Sequence, residues 1–145
     1  MKIFSSIETS ASGLTAQRLR LDLIASNLAN AESTRTEDGG VYRRKAAVFT
    51  TKNDGPSFRN VLSSVLPISS GVRVAGVVED TSPPKQVYMP GHPDAGPDGY
   101  VAYPNVDIVT EMVDMMAATR AYEANVTAIE ASRAMIQKAL DMLRV

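Results

Sequence analysis

Side chains able to do chemistry are few and scattered. His92 is the single histidine, and with no cysteine anywhere it cannot complete a common zinc site. It lies in Pro90-Gly91-His92-Pro93-Asp94, whose composition assigns it a turn role. Ser5, Ser6, Ser10 and Ser12 sit in or before a helical pattern and not on a strand-to-helix elbow, and G-x-S-x-G does not occur. Gly96 and Gly99 belong to a turn and make neither a phosphate loop nor a dinucleotide fingerprint. No constellation of acid, base, nucleophile and metal ligand emerges, so the expectation is a protein that is not an enzyme and uses no cofactor.

The remaining candidates are binding features. Arg43-Arg44-Lys45, preceded by Tyr42, is the densest basic run and raises a nucleic-acid reading. Against it stands the balance of 15 Lys+Arg to 16 Asp+Glu and a pI near 5.8, which gives one short patch little electrostatic reach. A subunit contact or a charged strand edge is the favoured reading, with no nucleic acid as partner. Asn125-Val126-Thr127 matches a glycosylation sequon by chance, because Val126 belongs to an apolar helix seam. Met112, Met115, Met116, Met135 and Met142 fit two roles: core packing, or an adaptable surface that meets slightly different neighbours.

These residues must be positioned by two long helices. From Asn105 to Val145 there is no Gly or Pro, and apolar residues recur at gaps of three and four: Met112, Met115, Tyr122, Val126, Ile129, Ile136, Leu140 and Leu143. Thr119 and Arg133 fill two polar slots, where they either set register or sit at a wet edge. Such a seam is the pattern of a coiled-coil helix, about 58 Å long. Asn105 is the expected N-cap, and Asp107, Glu111 and Asp114 at the start oppose Lys138 and Arg144 near the end, matching the macrodipole.

A second seam runs from Ile3 to Ala31 through Ile7, Leu14, Leu21 and Leu28, with Ile24 and Ala31 between. Its Ser and Thr content makes this helix, about 42 Å long, marginal on its own. Asn27 and Asn30 flank its last turn, where Asn tolerates the left-handed conformation that closes many helices. The longer helix then overhangs the shorter by roughly 16 Å. An apolar overhang needs a partner outside the chain.

Between the helices the sequence reads as short strands: Val41–Thr51, Val72–Asp80 with a bulge near Gly76, Lys85–Met89 and Tyr100–Tyr103. Asn53-Asp54-Gly55-Pro56 and Pro83-Pro84 interrupt it, and Phe58–Leu66 fits one or two helical turns. The expected fold is mainly α with a small β insert. Its long N- and C-terminal helices form an antiparallel coiled coil around an irregular β-rich module. The expected boundaries are residues 1–34, 35–104 and 105–145. No stretch is long and apolar enough to span a bilayer, and no cleavable signal is visible, so only a route that does not read a signal peptide would carry the chain out of the cytoplasm.

Several motifs resemble the rod-type axial proteins of the bacterial flagellum. Residues 10–17 (SASGLTAQ) and 25–31 (ASNLANA), with Ser26, Asn27, Asn30 and then Thr34, are similar to the N-terminal signature of rod and hook subunits. Residues 118–125, with Tyr122, Glu123 and Asn125, resemble the matching C-terminal motif. Tyr42-Arg43-Arg44-Lys45, Tyr88-Met89-Pro90-Gly91-His92-Pro93 and the run from Gly99 to Val106 are most similar to the proximal-rod branch. The resemblance implies a structural subunit of a periplasmic drive shaft. Its implied partners are copies of itself, other rod subunits and the junction with the export gate and MS ring. It also implies delivery as an unfolded chain by the flagellar type III export apparatus. A cytosolic coiled-coil adaptor or export chaperone is the alternative, and would form a discrete soluble dimer.

Overall fold

The computed structural model describes residues 2–36, 39–52 and 71–142, without the side chains of residues 2 and 3. Helix α1 spans Lys2–Ala29, strands β1 to β4 span Lys45–Thr51, Val72–Glu79, Lys85–Tyr88 and Tyr100–Tyr103, and helix α2 spans Ile108–Met142. The expected turns at Phe58–Leu66, the break at Asn53–Pro56 and the ends at Leu143 and Arg144 lie outside the described residues.

Helix α1 is unbroken across Gly13 despite its Ser and Thr residues. Their hydroxyls turn back onto the helix: Thr9 donates to the Ser5 carbonyl at 2.8 Å and Thr15 to that of Ala11 at 3.1 Å. This removes their competition with the main-chain ladder. Asn30 closes the helix by donating its side-chain amide to the Ser26 carbonyl at 2.8 Å. The expected left-handed Asn is absent, since among the described residues only glycines have positive φ.

Helix α2 starts two residues later than expected, at Ile108. Asp107, not Asn105, is its cap, accepting the Thr110 backbone N–H at 3.1 Å. That bond holds the Asp107 carboxyl below the usual range, and the Ser82 hydroxyl and backbone N–H do the same for Asp80. Polar Thr119 is accommodated by donating to the Met115 carbonyl at 2.9 Å.

The two helices lie side by side and run in opposite directions. Asn27 meets Glu111 at one end, and Gly13 meets Asn125 a further fourteen residues along both helices. A Cβ on Gly13 would stand 3.0 Å from the Asn125 amide nitrogen, so the absent side chain is what admits Asn125. Extending this offset sets Lys2 opposite Ile136. The described overhang of α2 is then Gln137–Met142, about 9 Å and shorter than the sequence suggests.

The β residues form two separate antiparallel pairs, β1–β2 and β3–β4. The first ladder runs from Lys45–Glu79 to Thr51–Val72, with a bulge where Val48 faces Gly76 and Phe49 faces Val74. It packs on α1, and Gly71 and Val72 touch that helix directly. Ser12 accepts the Val72 N–H at 3.0 Å, and Gly71, at φ +116°, leaves room for the Ser12 hydroxyl where a Cβ would stand 2.5 Å from it. The second pair makes no close main-chain contact with the helices or with the first pair, and its Tyr88 and Tyr100 rings meet edge to face 5.3 Å apart. Val101 of β4 is nevertheless buried, as are Pro104 and Val106 on the way into α2.

Candidate assembly surface and its polar junction

Where α1 ends, β1 begins and α2 begins, the chain buries polar groups. Asn27 is 1% exposed and Glu111 is 0% exposed. Asn27 makes all four hydrogen bonds its amide allows: its nitrogen donates to the Lys45 carbonyl at 2.9 Å and to Glu111 Oε2 at 3.0 Å. Its oxygen accepts the Lys45 N–H and the Tyr42 hydroxyl, both at 2.9 Å. The side chain thus pairs with Lys45 as a neighbouring strand would, ending the free edge of β1. Ser26 lies 3.2 Å from the Tyr42 hydroxyl, and the Lys45 ammonium sits 5.9 Å from the centre of the Tyr42 ring.

Glu111 is matched on its other oxygen by Arg44 Nε at 2.6 Å. Arg44 also reaches Asp114 at 3.5 Å, and Arg20 reaches the other oxygen of Asp114 at 3.1 Å. A buried carboxylate with no partner would cost several kcal/mol, so Glu111 requires both Arg44 and Asn27. A half-open cleft of about 340 Å³ lies beside the junction, lined by Leu23, Phe49 and these charges. Since the carboxylates and guanidinium groups bond one another, the cleft presents no uncompensated charge cluster. The basic run is engaged in the same way. Lys45 also reaches Glu79 at 3.7 Å, and only Arg43 of the three faces solvent.

The seam residues divide. Ile24 is buried, and Ile7, Leu14, Leu21, Leu28, Met115, Tyr122, Val126, Ile129 and Ile136 are half-buried. Met112 and Leu140 are exposed, and so is Arg133. The innermost row of α2 is instead Glu111, Ala118, Asn125 and Ser132, spaced by seven but not apolar. The outward face carries Val109, 71% exposed, Met112, 53% exposed, and Val113 and Met116, both 55% exposed. Met115, Tyr122, Ile129 and Ile136 flank this row on the same side, four residues beyond each of its members, whereas Met112 and Leu140 fall outside it.

Of the motif residues, Ser26, Asn27, Asn30 and Tyr42 gather at the junction, whereas Arg43 and Glu123 face solvent and Tyr122 is half-buried. Thr34 ties the following loop to the β3–β4 connection through Asp94 at 2.8 Å. In that connection His92 accepts the Asp94 N–H at 3.1 Å, a turn contact. Arg20, Arg44, Glu111 and Asp114 were not anticipated as a cluster. The available signal was Asp107, Glu111 and Asp114, at gaps of four and three at the start of α2, together with the distant basic run Arg43-Arg44-Lys45.

Comparison with known proteins places this architecture. Residues 7–35 match a family model described as flagella basal body rod protein, and residues 98–142 match one described as flagellar basal body rod FlgEFG protein C-terminal. Helix α1 with its closing turn, and β4 with α2, are therefore rod-protein elements. Over nearly the full length the chain is 46% identical to flagellar basal-body rod protein FlgC of Borreliella burgdorferi, covering 99% of both chains. It is 45% identical to FlgC of Bacillus subtilis, covering 98% of this chain and 99% of the relative, and 42% identical to FlgC of Escherichia coli O6:H1, covering 98% of both. The chain belongs to the FlgC family of flagellar basal-body rod proteins. It is a structural component of the basal body, not an enzyme.

Proposed function

We propose that this subunit builds the proximal rod by laying α1 and α2 beside the helices of neighbouring copies and of other rod proteins. The observation that carries this reading is the apolar outward face of α2, Val109, Met112, Val113 and Met116, on a chain of FlgC kind. A helix that is apolar on its solvent side is a helix awaiting cover. The half-buried seam residues named above complete their burial in that contact, and Leu140 and Leu143 continue it, so coiled-coil packing arises between subunits as well as within one. Residues 1–34 and 105–145 act as the axial part, and residues 35–104 as the module that makes lateral contacts. Torque then passes through many buried interfaces across the periplasm.

Delivery as an unfolded chain through the flagellar type III export apparatus is consistent with a marginal α1, which orders when neighbours cover it. The innermost copies meet the export gate and MS-ring junction. The test is fractionation: the protein should co-purify with basal bodies, and Leu21→Asp or Val126→Asp should abolish both rod assembly and swimming. Normal swimming by either mutant would overturn the assignment of the seams.

A further inference from the structure

We propose that Asn27, Glu111 and Arg44 act as positioning residues that select one helix register out of several that the apolar contacts would accept. The apolar rows repeat every seven residues on both helices: Ile7, Leu14, Leu21 and Leu28 on α1, and Met115, Tyr122, Ile129 and Ile136 on α2. Sliding α2 by one heptad re-forms these rows. It would also set Ala118 opposite Asn27 and Ser132 opposite Gly13, small residues that raise no steric objection. Hydrophobic burial therefore separates the two registers poorly.

The junction does separate them. In the observed register Asn27 has all four of its bonds, and Glu111, 0% exposed, has Asn27 on one oxygen and Arg44 on the other. After a slip, Glu111 would leave both partners, and Asn27 would face a methyl group with one donor hydrogen unpaired, while its bonds to Lys45 and Tyr42, which do not involve α2, remained. Buried polar groups whose partners exist in one alignment alone discriminate between alignments that apolar packing leaves nearly equal. Arg44 lies on the chain entering β1, so the register is read from the β module and not from the helices. The device matters to assembly because a slip would move the outward face of α2 by about 10 Å along the axis.

The test places spin labels at two exposed sites, Arg18→Cys and Lys138→Cys, in the full chain, which has no cysteine of its own. Trimethylamine oxide favours the compact state during the measurement. In the observed register the labelled positions are about 27 Å apart along the axis, and one heptad changes that by about 10 Å. Double electron–electron resonance should give one distance for the otherwise unaltered chain. With Asn27→Leu and Glu111→Leu together, a second distance should appear, its population raised about tenfold or more. Glu111→Gln alone, which can still accept from Asn27, should restore most of the single distance. A double variant that keeps one unshifted distance would overturn the proposal. So would one that loses helix content and gives only a broad distribution, because the network would then hold stability and not register.

Discussion

Toward α1, α2 presents Glu111, Ala118, Asn125 and Ser132; away from it, Val109, Met112, Val113 and Met116. A self-sufficient domain would have these the other way round, with the large apolar groups inside. The inner row carries one hydrogen bond to α1, from Asn27 to Glu111, and the close approach of Asn125 to Gly13, both of which specify geometry. The outer face carries apolar area, which is non-directional and becomes stabilising only when a neighbour removes it from water. Within one subunit, then, the Asn27–Glu111 bond and the Gly13–Asn125 contact fix how the helices meet, while the exposed apolar face of α2 adds little burial to the chain on its own.

The most severe way to break this contrast is on the outer face. Met112→Asp with Met116→Asp should abolish swimming in a motile strain lacking the native copy, while the far-UV circular dichroism of the purified chain stays unchanged; a parallel loss of helix would show that the face already serves the monomer. On the inner face, Asn27→Leu should destabilise the folded chain by about 3 kcal/mol or more, measured by urea titration in osmolyte, because Glu111 and the Lys45 main chain lose partners together. Gly13→Ala gains about 1 kcal/mol of helix propensity but drives a methyl against Asn125, so it should leave stability within about 1 kcal/mol of the parent, and Asn125→Ala in the same chain should relieve the contact and make the change stabilising. The relief sharpens the comparison, since it marks the inner face as a matter of fit.

The smallest effect concerns the cap of α2. The Asp107 carboxyl is held below its usual range in the folded chain by the Thr110 N–H. Its contribution is therefore present above the ordinary carboxylate range and fades as pH falls through the lowered value. Asp107→Ala should lower stability slightly at neutral pH and flatten that acid dependence, whereas Asp107→Asn should keep most of the cap while removing the pH dependence.

Most of the architecture was legible because its signals are local. The Gly- and Pro-free run marks α2, and β2, β3 and β4 fall within one residue of their expected limits. Strand β1 starts later than Val41 because Tyr42 and Arg44 are drawn into the junction. The junction itself was not legible. Glu111 and Asp114 read as favourable charges near a helix start, and only the fold brings Arg44 and Arg20 to them. The innermost row of α2 was hidden for a related reason: when it consists of Glu, Ala, Asn and Ser, hydrophobic periodicity registers only the apolar positions that flank it.

The far end of the first strand pair is fastened to helix α1. The β1–β2 ladder ends at Thr51–Val72, and the Lys52 N–H reaches the Gly71 carbonyl at 2.9 Å, with Gly71 seated against Ser12 of α1. Thr51 and Val72 are thus held together by the main chain on one side and by helix α1 on the other, so this end of the ladder is fastened twice. Gly71→Ala, which would set a methyl against the Ser12 hydroxyl at a positive φ, should therefore loosen the strand pair from the helix it rests on.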